Sequence, residues 1–387
     1  MTLPQTASYD VEALRATEFP WTGEATYLDH ASIGPLPERT RQVADAMNRR
    51  RSQPFRLGHE QLFGGLAAAR AAAARLVGSD PAEIALATNT SFGLGVAARA
   101  LPLAAGDIVL VSQREFPANV YPWKRLGAQG VILELVPVTP AGWPDEARLL
   151  DRLADRQVRC LAVSLTQFAT GYTVDLETLS RVTRANGQFL VVDAIQALGQ
   201  MPVDVRATPV DILASGGQKW LLSPWGSGFF YVRRDLIPRL DPAITGWMAF
   251  EGTDDFTRLT AYGDALRQDA RRFELISLPF QDFAGFTASL GLLAELGIPA
   301  IQAHLRQLHA PILAWAERRG VPVTSPTGIR GSGIVAVAPP ALEAACRKLR
   351  AAQVFASQRE GAIRISPHCY NTIEEMERVA AILDTTL

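Results

Sequence analysis

Short apolar runs alternate with amphipathic segments between about residue 83 and residue 235. The segments between the runs have helical periodicity, as in Phe92–Leu101 and Leu176–Asn186. The apolar runs predict strands at Glu83–Ala87, Ile108–Ser112, Val131–Val136, Cys160–Leu165, Phe189–Asp193, Ile212–Ser215 and Gly228–Val232. This alternation predicts a largely parallel sheet covered by helices. Because the last two strands have no helix between them, we expect an antiparallel pair at one edge.

The pattern changes after residue 255, where long helical segments precede a mixture of strands and helices. The predicted helices are Phe280–Leu296, Ile298–Arg319, Pro340–Ala352 and Ile373–Leu383, and the predicted strands are Gly331–Val337 and Ala362–Ser366. Thr372 is placed to cap the last helix. The sequence therefore predicts an α/β protein with two domains. A three-layer large domain spans residues 27–255, and residues 1–26 and 256–387 form a small α+β domain with a connecting helix.

Composition narrows the classes of partner and compartment. The chain has 387 residues, 48% of them hydrophobic, which is enough for a large core. Lys and Arg number 38 against 39 Asp and Glu, so we expect neither nucleic acid nor a membrane surface as the partner. The three cysteines show no disulfide or zinc spacing, and the five histidines match no metal motif, so we expect no metal. With no signal peptide pattern, the expected location is cytoplasmic.

A lysine and an acid each follow an apolar run. The strand Ile212–Ser215 breaks into a glycine turn that presents Lys219, and Phe189–Val192 ends in Asp193. A pyridoxal phosphate enzyme requires such a pair, because the amine forms the imine and the carboxylate keeps the pyridine nitrogen protonated. Taken alone, each residue is more often a surface lysine or a turn-forming acid.

A phosphate-type loop strengthens this hypothesis. The segment 87–93 follows one strand, opens a helix, and contains Thr90 and Ser91. Free N–H groups, hydroxyls and the helix dipole at such a place can hold a phosphate, although an ordinary helix cap has the same composition.

A dinucleotide-binding site is the rival interpretation of the same region. Gly93–Ala98 matches the G-x-G-x-x-A pattern, and Glu115 lies near the position of a ribose ligand. The glycines stand beyond four polar residues rather than directly after the strand. A dehydrogenase would also leave Asp193 and Lys219 without a function, so we disfavour it.

Two motifs, Asp193–Gln196 and Ser215–Lys219, resemble those of the class V aminotransferase and cysteine desulfurase family of fold-type I pyridoxal phosphate enzymes. The resemblance runs from about Tyr27 to the C-terminus. It implies pyridoxal 5'-phosphate as cofactor, with Lys219 as the Schiff-base lysine and Asp193 at the pyridine nitrogen. Gln196 would then hydrogen-bond the ring hydroxyl. The residues implied at the phosphate are Thr90, Ser91, Ser215 and Gln218, where Gln218 replaces the histidine usual in the family.

The resemblance also implies a stacking ring and a substrate site. Segment 115–123 is similar to the one whose first ring stacks on the cofactor, and Phe116 stands where desulfurases have histidine. Phenylalanine can stack but cannot move a proton. Arg364, in segment 361–371, would grip the substrate carboxylate with a guanidinium fork. The other substrate-binding candidates are His30, Gln167 and Trp247.

Two further features of the family concern a cysteine and a second subunit. The nucleophilic cysteine of desulfurases has no counterpart, because the corresponding segment 356–360 contains none. A persulfide-forming desulfurase is therefore disfavoured. In the family the active site is completed by a second subunit, and Ser277 resembles the residue that reaches the neighbour's phosphate. A homodimer with a shared active site is expected.

The resulting hypothesis is a pyridoxal phosphate enzyme that acts on a small amino acid through the Lys219 Schiff base and a Cα carbanion. Aminotransferase-like chemistry is favoured because the desulfurase histidine and cysteine are both missing. Carbon–sulfur lysis, as in desulfurase-like enzymes, and epimerisation share the early steps and stay open. A non-catalytic protein that keeps the fold for binding is a remote alternative.

Overall fold

The computed structural model describes residues 9–242 and 244–386. Its helices are α1 Val11–Glu18, α2 Glu38–Arg51, α3 His59–Val77, α4 Thr90–Ala100, α5 Tyr121–Arg125, α6 Glu146–Arg152, α7 Leu176–Ala185, α8 Phe280–Leu296, α9 Ile298–Leu308, α10 Ala310–Arg319, α11 Leu342–Ala351 and α12 Ile373–Asp384. Its strands are β1 Thr26–Tyr27, β2 Ile84–Leu86, β3 Ile108–Ser112, β4 Ile132–Val136, β5 Val158–Ser164, β6 Phe189–Asp193, β7 Ile212–Gly216, β8 Gly228–Val232, β9 Val335–Val337, β10 Val354–Phe355, β11 Ser357–Arg359 and β12 Ala362–Ile365.

A seven-stranded sheet forms the centre of the molecule, in the order β2-β8-β7-β6-β5-β3-β4. The strands from β7 to β4 pair in parallel, whereas β8 runs antiparallel to both β7 and β2. The predicted mostly parallel sheet and the antiparallel β7–β8 pair are therefore confirmed. The predicted edge position is wrong, because β2 adds to β8 and forms the edge itself.

The buried strands explain why the sequence predicts this sheet so directly. Every residue of β3, β6, β7 and β8 is buried, since helices cover both faces. One apolar cluster lies on each face of the sheet, and α4 contributes Leu94 and Ala97 to one of them. The α/β fold class, three layers around a mostly parallel sheet, is confirmed.

The C-terminal part has its own small sheets, and the N-terminal segment joins them. Strands β11, β12 and β9 form an antiparallel sheet, while β1 pairs in parallel with β10. A bridge between Asp29 and Ser366 continues this contact. The N-terminal segment thus pairs with the C-terminal part as far as Asp29, slightly beyond the predicted domain boundary at residue 26. The division into two domains stays a prediction.

Two predicted elements of the C-terminal part differ in the structure. The helix predicted over Ile298–Arg319 is two helices, because α9 ends at Leu308 and α10 has Pro311 in its first turn. The strand predicted over Gly331–Val337 is reduced to β9, because Gly328–Arg330 forms a 3₁₀ turn and the Gly333 N–H donates to the Gln200 side chain (2.7 Å) rather than to a strand.

Helix α8 connects the C-terminal part with the large sheet. It packs against α2 and α3. Its Ser289 hydroxyl donates to the carbonyl of Leu222 (2.7 Å) and shares a hydrogen bond with Thr40 (2.7 Å), all buried.

Within residues 9–242 and 244–386, no single helix has both the length and the apolar composition to cross a membrane. The combination of α8 with α9–α10 passes that test only as a pair bent by 75°.

Candidate active site

Asp193 and Lys219 lie at neighbouring strand ends of the large sheet. Asp193 is the last residue of β6 and pairs in register with Ala214 of β7. The chain then leaves β7 through Gly216 and Gly217 and reaches Lys219. A Cβ atom at Gly217 would stand 2.8 Å from Cβ of Ser223, so only glycine fits this close turn. Parallel strand ends and a glycine turn therefore bring the predicted amine and carboxylate to one edge.

Burial and mutual attraction set the charges of this pair. Burial lowers the pKa of Lys219 to about 8, and the negative charge of Asp193 opposes that shift. Burial raises the pKa of Asp193 to about 6, against a hydrogen bond from the Ile195 N–H and the positive charge of Lys219. A lysine with a lowered pKa has a larger fraction of free amine near neutral pH, as a nucleophile or proton acceptor requires.

The start of α4 lies beside the Lys219 turn. Asn89 caps this helix by accepting from the Phe92 N–H (2.9 Å). The Thr90 hydroxyl oxygen accepts from the Gly216 N–H (2.8 Å), which ties the helix to the turn. Ser91 is exposed in the first turn of α4. The free N–H groups of this turn can hold a phosphate.

Ser215 and Gln218 belong to the same turn. The Ser215 hydroxyl is buried and donates to the Gly216 carbonyl (3.0 Å), which leaves its oxygen able to accept. Gln218 is half-buried, and its main-chain carbonyl accepts from the Gly34 N–H (2.8 Å). Gly216 allows this arrangement, because a Cβ there would stand 2.4 Å from Oε1 of Gln218.

The dinucleotide-binding interpretation is wrong. Gly93 and Gly95 lie inside α4, beyond its first N–H groups, rather than in a loop before the helix. A Cβ at Gly93 would approach the Cβ atoms of Ala214 and Phe230 to 2.8 and 2.9 Å, so this glycine serves close packing of helix on sheet. Glu115 is buried and bound to Ser164, where it cannot reach a ribose.

Phe116 presents its ring to Lys219. The Lys219 Nζ atom lies 5.4 Å from the centroid of that ring. Phe116 also packs edge-on against Phe168, with the centroids 5.4 Å apart. The ring keeps 42% of its surface exposed, which leaves a face open to a planar ligand.

Arg364 is a buried guanidinium with an unsatisfied donor. It donates to the Phe168 carbonyl (2.8 Å) and to the Ser32 hydroxyl (2.6 Å), and it forms an ion pair with Asp29 (3.2 Å). Its buried Nε has no hydrogen-bond partner among the residues that the structure describes. Burial lowers the pKa of Arg364 to about 10, despite the charge of Asp29. A carboxylate would satisfy the free donor.

Arg359 is a second cation at this place, and sequence reasoning missed it. It lies on β11, the antiparallel neighbour of the strand that carries Arg364. Both guanidinium groups donate to the same Ser32 hydroxyl, Arg359 at 3.1 Å. The charges of both arginines lower the pKa of Lys219. The only available signal was an arginine shortly before Arg364, which sequence alone cannot place on a neighbouring strand.

His30 has surroundings that do not support contact with the substrate, and its assignment stays a prediction. It is fully buried, and its Nδ1–H donates to the Ser366 carbonyl (2.8 Å). Its Nε2 then accepts from the Tyr370 hydroxyl (2.7 Å). Both ring nitrogens are thereby occupied. Burial lowers the pKa of His30 well below its usual value, with a further contribution from His368.

Gln196 and Gln167 are both buried near the predicted site. The Gln196 amide donates to the Ala31 carbonyl (2.9 Å) and accepts from Trp220 Nε1 (2.8 Å), which leaves one N–H for a ligand. The Gln167 amide donates to the Gly142 carbonyl (3.3 Å), and its oxygen accepts from Thr170. The functional roles of both residues stay predictions.

Trp247 and Ser277 belong to the segment between β8 and α8. The Trp247 ring packs edge-on against Phe256 (5.7 Å between centroids), in an aromatic group with His59 and Phe63. That group is separate from the one formed by Phe116 and Phe168. Ser277 is exposed. Contact of either residue with substrate or with a second subunit stays a prediction.

The positions of the cysteines agree with the absence of a desulfurase nucleophile. Cys160 and Cys369 are buried, and burial raises the pKa of both thiols. Cys346 is half-buried on α11, and its pKa is also raised by burial. A thiol with a raised pKa is a poor nucleophile near neutral pH.

The groups around Lys219 fit one kind of cofactor. Pyridoxal phosphate needs an amine for its aldehyde, a carboxylate for its ring nitrogen and a phosphate site, and Lys219, Asp193 and the start of α4 offer these in one place. Fold and site together define a fold-type I pyridoxal phosphate enzyme. The sequence model of the family Aminotransferase class-V matches residues 26–338 of this chain, so the chain belongs to the class V aminotransferase family. Its cofactor is pyridoxal 5'-phosphate.

Three similar proteins illustrate the range of activities among such enzymes. The uncharacterized aminotransferase YcbU of Bacillus subtilis is 29% identical over 78% of this chain and 79% of its own length. Isopenicillin N epimerase of Streptomyces clavuligerus is 29% identical over 92% of this chain and 94% of its own length. The apo structure of cysteine desulfurase from Thermococcus onnurineus NA1 superposes with a TM-score of 0.88 at 22% identity, over 98% and 99% of the two chains.

Proposed function

We propose that this enzyme transfers the amino group of a small amino acid, with Arg364 as the anchor of the substrate carboxylate. The observation that carries the proposal is the combination of a half-buried lysine beside an apolar ring with a buried arginine that has a free donor. When bound, pyridoxal phosphate supplies an aldehyde for the amine and a ring that accepts electrons.

Each group of residues at this site has a separate role in the proposed reaction. Asp193 would hold the proton on the ring nitrogen, and the start of α4 with Thr90, Ser91 and Gln218 would hold the phosphate. Nζ of Lys219, as a free amine, would take and return the proton at the substrate Cα. Its pKa of about 8 suits both directions of transfer near neutral pH.

Two arginines share the binding of the carboxylate. Asp29 already neutralises much of the charge of Arg364, and Arg359 adds a second positive charge across the Ser32 hydroxyl. One carboxylate then balances the two arginines and Asp29. Arg364 orients it through its free Nε–H, and Arg359 strengthens its attraction.

The aromatic pair supports transamination over the alternatives. Neither Phe116 nor Phe168 has a group that could protonate a leaving sulfur or act as the second base of an epimerase. Lys219 is therefore the proton carrier, which suffices for transamination. Carbon–sulfur lysis and epimerisation are the outcomes against which the proposal is tested.

A panel of amino acids, each with and without a keto-acid acceptor, distinguishes these reactions. We expect keto acid from the amino donor only when the acceptor is present. Pyruvate and sulfide from cysteine or cystine without acceptor would establish lysis instead. Exchange of the Cα hydrogen with inversion, and without keto acid, would establish epimerisation. A spectral change without any turnover would support a binding protein.

Replacing Arg364 by lysine should weaken substrate binding. Lysine keeps the charge but loses the free Nε–H donor, so we expect KM to rise roughly 10- to 100-fold with a small change in kcat. Arg359→Gln should raise KM by less. Arg347→Lys, on the exposed face of α11, is the matched control and should change neither constant. An unchanged KM in Arg364→Lys would contradict the assignment.

The oligomeric state and location extend the proposal. Exposed apolar side chains cluster after β8 and support a subunit contact there: Ile244, Trp247, Phe256, Leu259 and Tyr262. A homodimer would place Ser277 near the neighbouring site, and sedimentation should give twice the chain mass of 41.9 kDa.

Three free cysteines support a reducing, cytoplasmic location, which microscopy of a tagged chain would test.

A further inference from the structure

Glu115 is a buried acid that the proposed mechanism does not use. It follows β3 directly before Phe116, in a stretch where Arg114 has a left-handed backbone (φ 60°). Such a conformation is strained in a non-glycine residue and persists where the surroundings require it. Here it turns the Glu115 side chain into the protein, while the Phe116 ring reaches Lys219.

Hydrogen bonds fix the Glu115 carboxyl at the end of β5. One oxygen accepts from the Ser164 N–H (2.7 Å), and the other accepts from the Ser164 hydroxyl. Ser164 is the last residue of β5 and pairs in register with Asp193, the last residue of β6. Two buried carboxyls therefore lie at neighbouring strand ends: Glu115 is hydrogen-bonded to Ser164, and Ser164 is the register partner of Asp193.

We propose that Glu115 is a positioning residue that forms a coupled carboxyl pair with Asp193, and that its ionisation strengthens the hold of Asp193 on a protonated ring nitrogen. A second negative charge near Asp193 favours a cation at that carboxylate. The same contact fixes Phe116 over Lys219. The inference rests on the proposed function, because it assumes that Asp193 faces the cofactor nitrogen.

The charges around Glu115 make its electrostatic interaction with Asp193 measurable. Burial raises its pKa to about 7, against the hydrogen bonds from Ser164, and the negative charge of Asp193 raises it further. Ser164 and Asn119 are its uncharged neighbours, and the charge on the far side of Asp193 is Lys219. Glu115 is thus protonated below neutral pH and ionised above it.

The affinity of the apoprotein for pyridoxal phosphate, compared between Glu115→Gln and the unaltered chain, tests the pair. Glutamine can keep both contacts with Ser164 but never ionises. The two proteins should bind equally near pH 6, and the variant should bind about 3- to 10-fold more weakly at pH 8. A ratio that is the same at every pH would overturn the proposal. Glu177→Gln, at an exposed residue of α7, is the matched control and should leave the ratio at one.

A second measurement needs no cofactor. Because the pKa of Glu115 is raised in the folded protein, its contribution to stability is full below pH 4.5 and is lost as the pH rises through about 7. The fall in apoprotein Tm across this range should therefore shrink in Glu115→Gln. An identical fall in both proteins would overturn the coupling.

If Glu115→Gln does not fold, Ser164→Ala serves in its place. Losing the hydroxyl donor should move the pH midpoint of cofactor binding upward, and an unmoved midpoint would count against the pair. Failure of the unaltered chain to bind pyridoxal phosphate would instead contradict the proposed function itself, on which this inference rests.

Discussion

Lys219→Ala is expected to lower kcat about 10²- to 10⁴-fold, the range for loss of a positioned proton carrier, and to abolish covalent attachment of the cofactor. The physical reason is the combination of a half-buried amine, a lowered pKa of about 8 and the open face of Phe116. The variant should fold, because the Lys219 side chain makes its characterised contact with a half-exposed ring rather than with the core. Circular dichroism and turnover with the best amino acid of the panel are the measurements.

The chain offers a clean control for this prediction. It has three lysines, Lys124, Lys219 and Lys348, and the other two are exposed. Lys124→Ala and Lys348→Ala should keep full activity and covalent attachment. Activity of Lys219→Ala within a few-fold of the unaltered enzyme would remove the lysine from the mechanism.

Asp193→Asn is expected to lower kcat about 10²- to 10³-fold, comparable to removing a preorganised electrostatic partner. Asparagine keeps the size of the side chain and can still accept from the Ile195 N–H (3.0 Å), but it cannot balance a protonated ring. Lys219 would also lose the attraction that opposes its burial, so its pKa should fall below about 8. The pH profile of kcat, followed to low pH, measures both effects.

The matched comparison for Asp193 uses Asp211, a buried acid of the same sheet. Asp211 accepts from the Leu190 N–H (2.7 Å) and pairs with Arg233, away from Lys219. Asp211→Asn should lower stability without a specific loss of kcat. Equal losses of kcat in the two variants would mean that Asp193 acts through stability rather than through the cofactor.

Periodicity predicted the large sheet well and the small sheets poorly. β6 and β8 are continuous apolar runs buried on both faces, so their bounds follow from the sequence alone. β1 and β10 have two residues each and pair across most of the chain, and such short elements carry no periodic signal. The proline that starts α10 was a usable signal for the break before it.

Some residues of the candidate site could likewise be predicted from the sequence, and others could not. Lys219 and Asp193 could be found because each directly follows an apolar run, and parallel strand ends meet at one edge. The hydrogen bonds of His30 could not be predicted, because its partners, Ser366 and Tyr370, come from the opposite end of the chain. Arg359 was missed because its role depends on a strand of three residues. Long-range contacts of this kind are set by packing, which local patterns do not encode.

Reduction of the cofactor-loaded enzyme with borohydride, followed by digestion and mass spectrometry of the peptides, tests the central claim most directly. The reduced cofactor should be found on the peptide that contains Lys219, and the peptides of Lys124 and Lys348 should be unmodified. Label on either of those lysines, or a loaded enzyme with no modified peptide, would contradict the account of this site.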